Sequence, residues 1–452
     1  MLSLKEIATV IDGQLTGEDA DFSSVSTDSR TLQSGALFIA LDGDNFKGHD
    51  FVEQARGAGA VAIISSRPTL RGLPGLVVKN TTVALGQLAG FWRNRFDIPV
   101  IGVTGSNGKT TVKEMISSIL RQLGPVHASP GSFNNHIGLP LTLLGLQPEH
   151  RFAVIEMGMN HPGEIDYLSR IARPTVSLIT NAASAHLEGL GDLAGVARAK
   201  AEIFHGMTHG AAAIINADDR FAAYWAARSQ AFQTITFGVD NRARISAEVT
   251  GEGDTQLIEI HLPDESFEVR LNLLGRHNAL NALAAASTAW ACGAGQSEIR
   301  AGLESVKAQP GRLQVRAGAR GACLIDDTYN ANPASLKAAI RALANRPGRT
   351  ALVLGDMAEL GPRAEDFHAA AGRQARDAGI DHLLTCGMLA GLTAEAFGKN
   401  ACHFDSSQAL IDGACQLLSP GLTVLVKGSR SAQMEVVADA LICVTHDGAI
   451  AC

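Results

Sequence analysis

An α/β fold of three units is predicted by three features of the chain. These are a strand, glycine turn and helix in succession at 98–115, strand and helix alternation through the middle, and a later run of strands ending in polar residues. In the first, the apolar Ile98-Pro-Val-Ile-Gly-Val-Thr104 leads into Gly105-Ser106-Asn107-Gly108-Lys109-Thr110-Thr111 and then a helical pattern. Gly105 and Gly108 open dihedrals closed to other residues, so successive N–H groups can point inward, and Lys109 adds a positive charge where the helix begins. The stretch reads as a cradle for a nucleoside triphosphate. It is a shorter form of G-x-x-x-x-G-K-[ST], because Val103 stands five residues before Gly108.

The length of 452 residues suits about three domains at roughly 150 residues each, and the expected divisions are 1–82, 83–312 and 313–452. A net charge of -7 without a long basic run argues against nucleic acid, and 5% aromatic content offers few stacking platforms. Seven cysteines without a C-x-x-C spacing predict neither a disulfide frame nor a zinc site, and point to a reducing compartment. Met1 to Leu15 holds no apolar signal region, and nowhere do eighteen apolar residues run together. A soluble, cytoplasmic chain with no membrane insertion is expected.

The N-terminal unit carries β-type runs at Ala36–Leu41, Ala60–Ile64 and Gly75–Val78, with a helical segment near His49–Gly57. Ser26-Thr-Asp28-Ser29-Arg30 and the stretch Asp42–His49 flank the first run. They suit recognition of a phosphorylated polar ligand, or equally a capped turn with a solvated arginine. In the central unit the pattern predicts a mainly parallel sheet with helices on both faces. Thr111–Leu123 reads as a helix ending at Gly124, Phe152–Glu156 and Val176–Asn181 as strands, and Asp218-Asp219 as a helix cap after strand Ala211–Asn216. Glu156 ends its strand where an α/β sheet presents ligand groups, beside the phosphate loop, and there it suits Mg2+. Spacing alone gives His186 and Lys200 no function. Gln256–Leu262 and Phe267–Leu273 read as an antiparallel hairpin, and Gly275–Asn281 opens an alanine-rich helix. After Arg312 a Rossmann-like unit is predicted, with strands near 323–325, 350–354, 382–385 and 423–426 ending in Asp327, Asn330, Asn332, Asp356, Lys427 and Arg430.

These pieces in this order resemble, over the whole chain, the Mur ligase family of ATP-dependent amide-forming enzymes of bacterial cell-wall synthesis. Asp327-Thr-Tyr-Asn-Ala-Asn-Pro333 and Val353-Leu-Gly-Asp-Met-Ala-Glu-Leu-Gly361, with no Asp-Asn-Pro-Arg motif, resemble the member acting last. That resemblance implies UDP-N-acetylmuramoyl-tripeptide and D-alanyl-D-alanine as substrates, with an N-terminal domain for the uridine diphosphate end, a central ATPase and a C-terminal domain for the incoming amine. It further implies that Lys109 holds the β and γ phosphates, Thr110 and Glu156 one Mg2+, and His186 a second. Lys200 matches the lysine that the family carries as a carbamate. Asn278 and Asn281 would contact the nucleotide, with His277 a weaker neighbour, and Arg312 and Asp327 its phosphates and ribose. Ser26, Asp28, Ser29 and Arg30 match the nucleotide-sugar end, and Asn330, Asn332, Asp356, Lys427 and Arg430 the dipeptide site and closure. A monomer is expected.

Three other readings remain open on sequence. A phosphate-loop kinase or ATPase would turn over ATP without an amine, and a scaffold would have a dead site. A sister ligase such as a folylpolyglutamate synthetase would differ in its N-terminal pocket and amine specificity.

Overall fold

The computed structural model describes every residue except 1, 44–46, 69–71, 252–253, 443, 447–448 and 452, and describes the backbone alone at 444–446 and 449–451. Asp44, Asn45 and Phe46 of the Asp42–His49 stretch therefore lie outside the described residues. Three main sheets divide the chain. The N-terminal sheet has five strands in the order Gln14–Thr16, Gly75–Val77, Ala62–Ser65, Ala36–Ile39 and Ser24–Ser26, all parallel except the first. The strands at 14–16 and 24–26 are not apparent in the sequence because they are short, polar edges. Helix Thr81–Arg93 packs Leu85 and Leu88 into this unit's core and Ala89 into the next, so the two units share it.

The central sheet has nine strands. From one edge they run 126–128, 152–156, 100–104, 176–179, 212–216, 233–238 and 245–250, all parallel, and close with the antiparallel hairpin Gln256–His261 and Ser266–Leu271. Strands Val100–Thr104 and Phe152–Glu156 are buried along their whole length, as a sheet covered on both faces requires. Ile101 and Val103 face helices Lys109–Leu120 and Arg276–Ala291, whereas Val100, Ala153 and Ile155 join the opposite core. Helix 109–120 starts two residues earlier than its apolar stripe suggests, because left-handed Gly108 turns the chain directly into it, and it ends before the 121–124 turn. Asp218 does not cap a helix as expected. Its carboxylate accepts the N–H groups of Val239, Asp240 and Asn241 and clamps that turn, while Asp219 accepts from Phe221 and Ala182.

In the C-terminal unit the strand order is Gln314–Ala317, Cys323–Asp327, Leu422–Lys427, Arg349–Leu354, His382–Cys386 and Ala401–Phe404. Only the first is antiparallel, and the last is a half-exposed edge that its sequence does not announce. Strand ends of the central and C-terminal sheets face one another across a cleft. No described helix is long and apolar enough to cross a membrane.

Candidate active site

The phosphate loop leaves the middle of the central sheet at Thr104 and is held from the neighbouring strand end. Asn181 accepts from Ser106 N through its carbonyl and from Asn107 N through Oδ1, and Thr180 Oγ1 donates to the Asn107 carbonyl at 2.7 Å. A Cβ on Gly105, at φ 154°, would fall 1.8 Å from Thr180 Oγ1, and one on Gly108, at φ 83°, 2.5 Å from Asn281 Oδ1. Neither position tolerates a side chain. The N–H groups of Lys109, Thr110 and Thr111 belong to the first helical turn, whose donors a helix leaves unpaired and available to an anion. Gly105→Ala should therefore weaken ATP binding at least ~10-fold and cost about 1–3 kcal/mol of stability. Calorimetric titration showing unaltered ATP affinity would remove the loop from the nucleotide site.

Around the loop a cavity of about 810 Å3 opens between the central and C-terminal sheets. It gathers Gly105, Ser106, Asn107, Gly108, Lys109, Thr110, Thr111, Glu156, His186, Lys200, His277, Asn278, Asn281, Arg312, Asp327, Asn330, Asn332, Lys427 and Arg430. Ser26, Asp28, Ser29, Arg30 and Asp356 do not line it. Arg30 grips Asp28 through two nitrogens, holding that carboxyl down at about 2, and Ser29 donates to Gln54. Asp356 Oδ1 accepts the N–H groups of Leu389 and Ala390 and so holds a turn behind the cleft.

Within the cavity, buried Glu156 is shared by two donors: Thr110 Oγ1 reaches Oε2 at 2.8 Å, and Asn134 Nδ2 reaches Oε1 at 2.7 Å. Arg312 crosses from the C-terminal side to donate to Thr110 Oγ1 at 2.9 Å, its guanidinium lying 4.0 Å from the Tyr329 ring centre. Asn332 caps its own helix and also donates to Asn107 Oδ1 at 2.7 Å, tying the C-terminal unit to the loop. Lys427, almost fully buried, donates to Asp327 Oδ2 at 2.6 Å and to the Asn330 carbonyl. Asn281 donates to Asn278, which donates to the Leu274 carbonyl. Arg430 is largely exposed and pairs with Glu435.

Two lysines set the electrostatics, Lys109 half-buried and Lys200 buried. Burial pushes the Lys109 ammonium below its ordinary range, Glu156 opposes that and Arg312 adds to it, while Nζ donates to the Gly105 carbonyl at 2.8 Å. Lys200 is lowered much further, chiefly by burial and then by the charge on Lys109, with Asp219 opposing. Its Nζ has no hydrogen bond or ion pair to a described residue. The His186 ring nitrogen Nδ1 lies 2.6 Å from Glu359 Oε2, within ion-pair distance but without the geometry of a hydrogen bond. That contact draws the Glu359 carboxyl below the usual range, against the effect of its partial burial.

No trio of His, Cys, Asp or Glu side chains among the described residues forms a metal cage. The hard oxygens of Glu156 and Thr110 suit Mg2+ only with further oxygens from bound phosphates, the usual way such ions are held. An unmodified Lys200 offers no oxygen donor, but a carboxylate-like group on its nitrogen would.

Sequence reasoning misses several residues here. The stretch Asn134–Pro140 reads in the sequence as a turn-rich segment whose amides could serve ligand or fold, which does not mark Asn134 itself. Lys113, fully buried in the loop's helix, donates to the Ser129 and Gly131 carbonyls at 2.6 and 2.9 Å and pins the segment that carries Asn134. Glu359 lies in a motif used above only for its resemblance.

Fold and site together define a phosphate-loop, nucleotide-binding enzyme with a second domain closing over the loop. Family models match in the same order: "Mur ligase family, catalytic domain" at 21–92, "Mur ligase middle domain" at 103–289 and "Mur ligase, glutamate ligase domain" at 311–430. The UDP-N-acetylmuramoyl-tripeptide–D-alanyl-D-alanine ligase of Escherichia coli is 43% identical over 446 residues, covering 97% of this chain and 98% of its own. The Bacillus subtilis enzyme of the same name is 35% identical over 464 residues, covering 97% and 98%. A crystal structure of MurF from Acinetobacter baumannii superposes with a TM-score of 0.91 at 35% identity, covering 97% of this chain and 98% of its own. The chain belongs to the Mur ligase family.

Proposed function

We propose that this chain joins D-alanyl-D-alanine to UDP-N-acetylmuramoyl-tripeptide, using ATP and releasing ADP and phosphate. The observation that carries this reading is the single cavity in which a phosphate loop of one domain meets cationic and amide side chains of another. A MurF from Thermotoga maritima, 29% identical with a TM-score of 0.81 over 92% of this chain and 96% of its own, was solved in complex with ADP. The relatives named above support the two substrates.

A free carboxylate is a poor electrophile, so it must first gain a better leaving group. Its oxygen attacks the γ-phosphorus, the β–γ bridging P–O bond breaks, ADP departs and an acyl phosphate remains. Lys109 and Arg312 offset the repulsion between two anions that approach each other. The dipeptide amine then attacks the acyl carbon, losing a proton, and phosphate leaves. Asn332 and Arg312, which bridge the domains, keep the halves together and exclude water that would hydrolyse the intermediate.

Two Mg2+ ions would supply further charge neutralisation. Thr110 and Glu156 would hold one, and His186 with a carbamylated Lys200 the other. Asn278, Asn281 and Asp327 are assigned to the nucleotide, and Asn330, Lys427 and Arg430 to the dipeptide. Ser26, Asp28, Ser29 and Arg30 are assigned to the uridine diphosphate end, and Asp356 to closure through the turn it holds. A working monomer is part of this reading.

The test is phosphate release from ATP and Mg2+, omitting each substrate in turn and weighing the product. Release that needs both, with a product heavier by one dipeptide less water, is expected. Release without the dipeptide would replace the ligase with an ATPase.

A further inference from the structure

We propose that Glu359 is a positioning residue for His186, delivered by the C-terminal domain, so that the His186 ion site is complete only when that domain has closed. This rests on the two-ion reading above.

His186 and Glu359 come from different domains, yet the ring Nδ1 and the carboxylate Oε2 are 2.6 Å apart. The approach is also fixed in the backbone, because Leu187 N donates to the Glu359 carbonyl at 3.2 Å. Both residues hold left-handed conformations, φ 56° for His186 and φ 60° for Glu359, which side chains of their kind seldom adopt. Both segments therefore turn sharply at the point where the two side chains meet. Both line the cavity that holds Glu156 and Lys200.

A histidine that ligates a metal through one ring nitrogen commonly donates its other N–H to a carboxylate, which selects the tautomer and orients the ring. With Nδ1–H donated to Glu359 in the loaded site, Nε2 would be left as the free lone pair. Nδ1 forms no hydrogen bond in the present arrangement, and hydrogen bonds of this kind are often completed only in the loaded site. Arg312 and Asn332 also cross the cleft, but they reach Thr110 and Asn107 on the phosphate loop. Glu359 instead reaches His186, the residue assigned to the second ion. Because the Glu359 side chain is half exposed, its replacement should leave the fold standing.

The experiment titrates Mn2+ into the full chain with a non-hydrolysable ATP analogue, reading free Mn2+ by electron paramagnetic resonance. The wild type should bind two ions and His186→Ala one. Glu359→Ala should keep the first and hold the second about 10–100-fold more weakly. Glu359→Gln, whose amide oxygen still accepts from Nδ1–H, should stay near wild type. Unchanged second-ion affinity in Glu359→Ala would overturn the proposal. If that variant only raised KM for D-alanyl-D-alanine, Glu359 would belong to the amine site instead. Equal weakening in Glu359→Gln and Glu359→Ala would replace orientation with charge as the cause. A single ion in the wild type would refute the two-ion reading itself.

Discussion

Lys200→Ala should lower kcat by about 10²–10³-fold, and formate or acetate added to that variant should restore part of the activity. Near an unperturbed pKa of about 10.4, only ~0.04% of a lysine is neutral at pH 7, too little to hold a carbamate well. Lys200 departs from that. It is buried, the neighbouring Lys109 repels a second positive charge, and only Asp219 favours the ammonium. A neutral amine attacks the carbon of CO2, forms an N–C bond, loses its proton and becomes a carboxylate. The sign of the pH dependence follows. At fixed dissolved CO2, lowering pH protonates Lys200 and removes the carbamate, and raising pH through its depressed pKa restores it. Enzyme stripped of CO2 should accordingly recover activity at a lower pH than an ordinary lysine would permit. Wild-type activity in Lys200→Ala would exclude the residue from the site. Loss of activity that no short acid repairs would make its role one of charge alone.

Lys200 also illustrates what the sequence can and cannot carry. In Val196-Ala-Arg-Ala-Lys-Ala-Glu, a lysine on a helical pattern reads as a solvated charge. Its burial arises because helix Leu193–Ala201 packs against the central sheet's second core, a tertiary event that no local pattern encodes. The phosphate loop is different, since its strand, glycines, lysine and helix are consecutive and their chemistry is local. Glu156 was legible for a related reason: a strand's end in an α/β sheet has a known address. The C-terminal strand ends were legible as a group, but not their separate tasks. Asp327 and Lys427 meet across neighbouring strands, whereas Asp356, at an equally polar strand end, faces a turn behind the cleft. Glu359 was out of reach, because its partner lies far away in the chain and the contact exists only across two domains. The short edge strands at 14–16 and 401–404 were missed because so little of them is buried.

Lys109→Met should separate activity from stability more sharply than any other single change here. The ammonium is half-buried, its desolvation and then Arg312 lower its pKa, and it satisfies itself with the Gly105 carbonyl. Without ligand, holding that charge out of water is unfavourable, and methionine fills similar space without it. The variant should melt at or above the wild-type temperature. With triphosphate bound the balance reverses, because the same charge then faces the β and γ phosphates and the charge developing between them. Removing it should reduce kcat by about 10²–10³-fold, close to the effect of losing one preorganised donor. Calorimetry of the free chain and single-turnover phosphate release measure the two halves independently. A lowered melting temperature with unchanged kcat would make Lys109 a structural lysine, and the phosphate assignment would fall. A raised melting temperature with lost turnover would show that the loop holds its charge at a cost in stability, which is the behaviour of a site built for a ligand rather than for the fold.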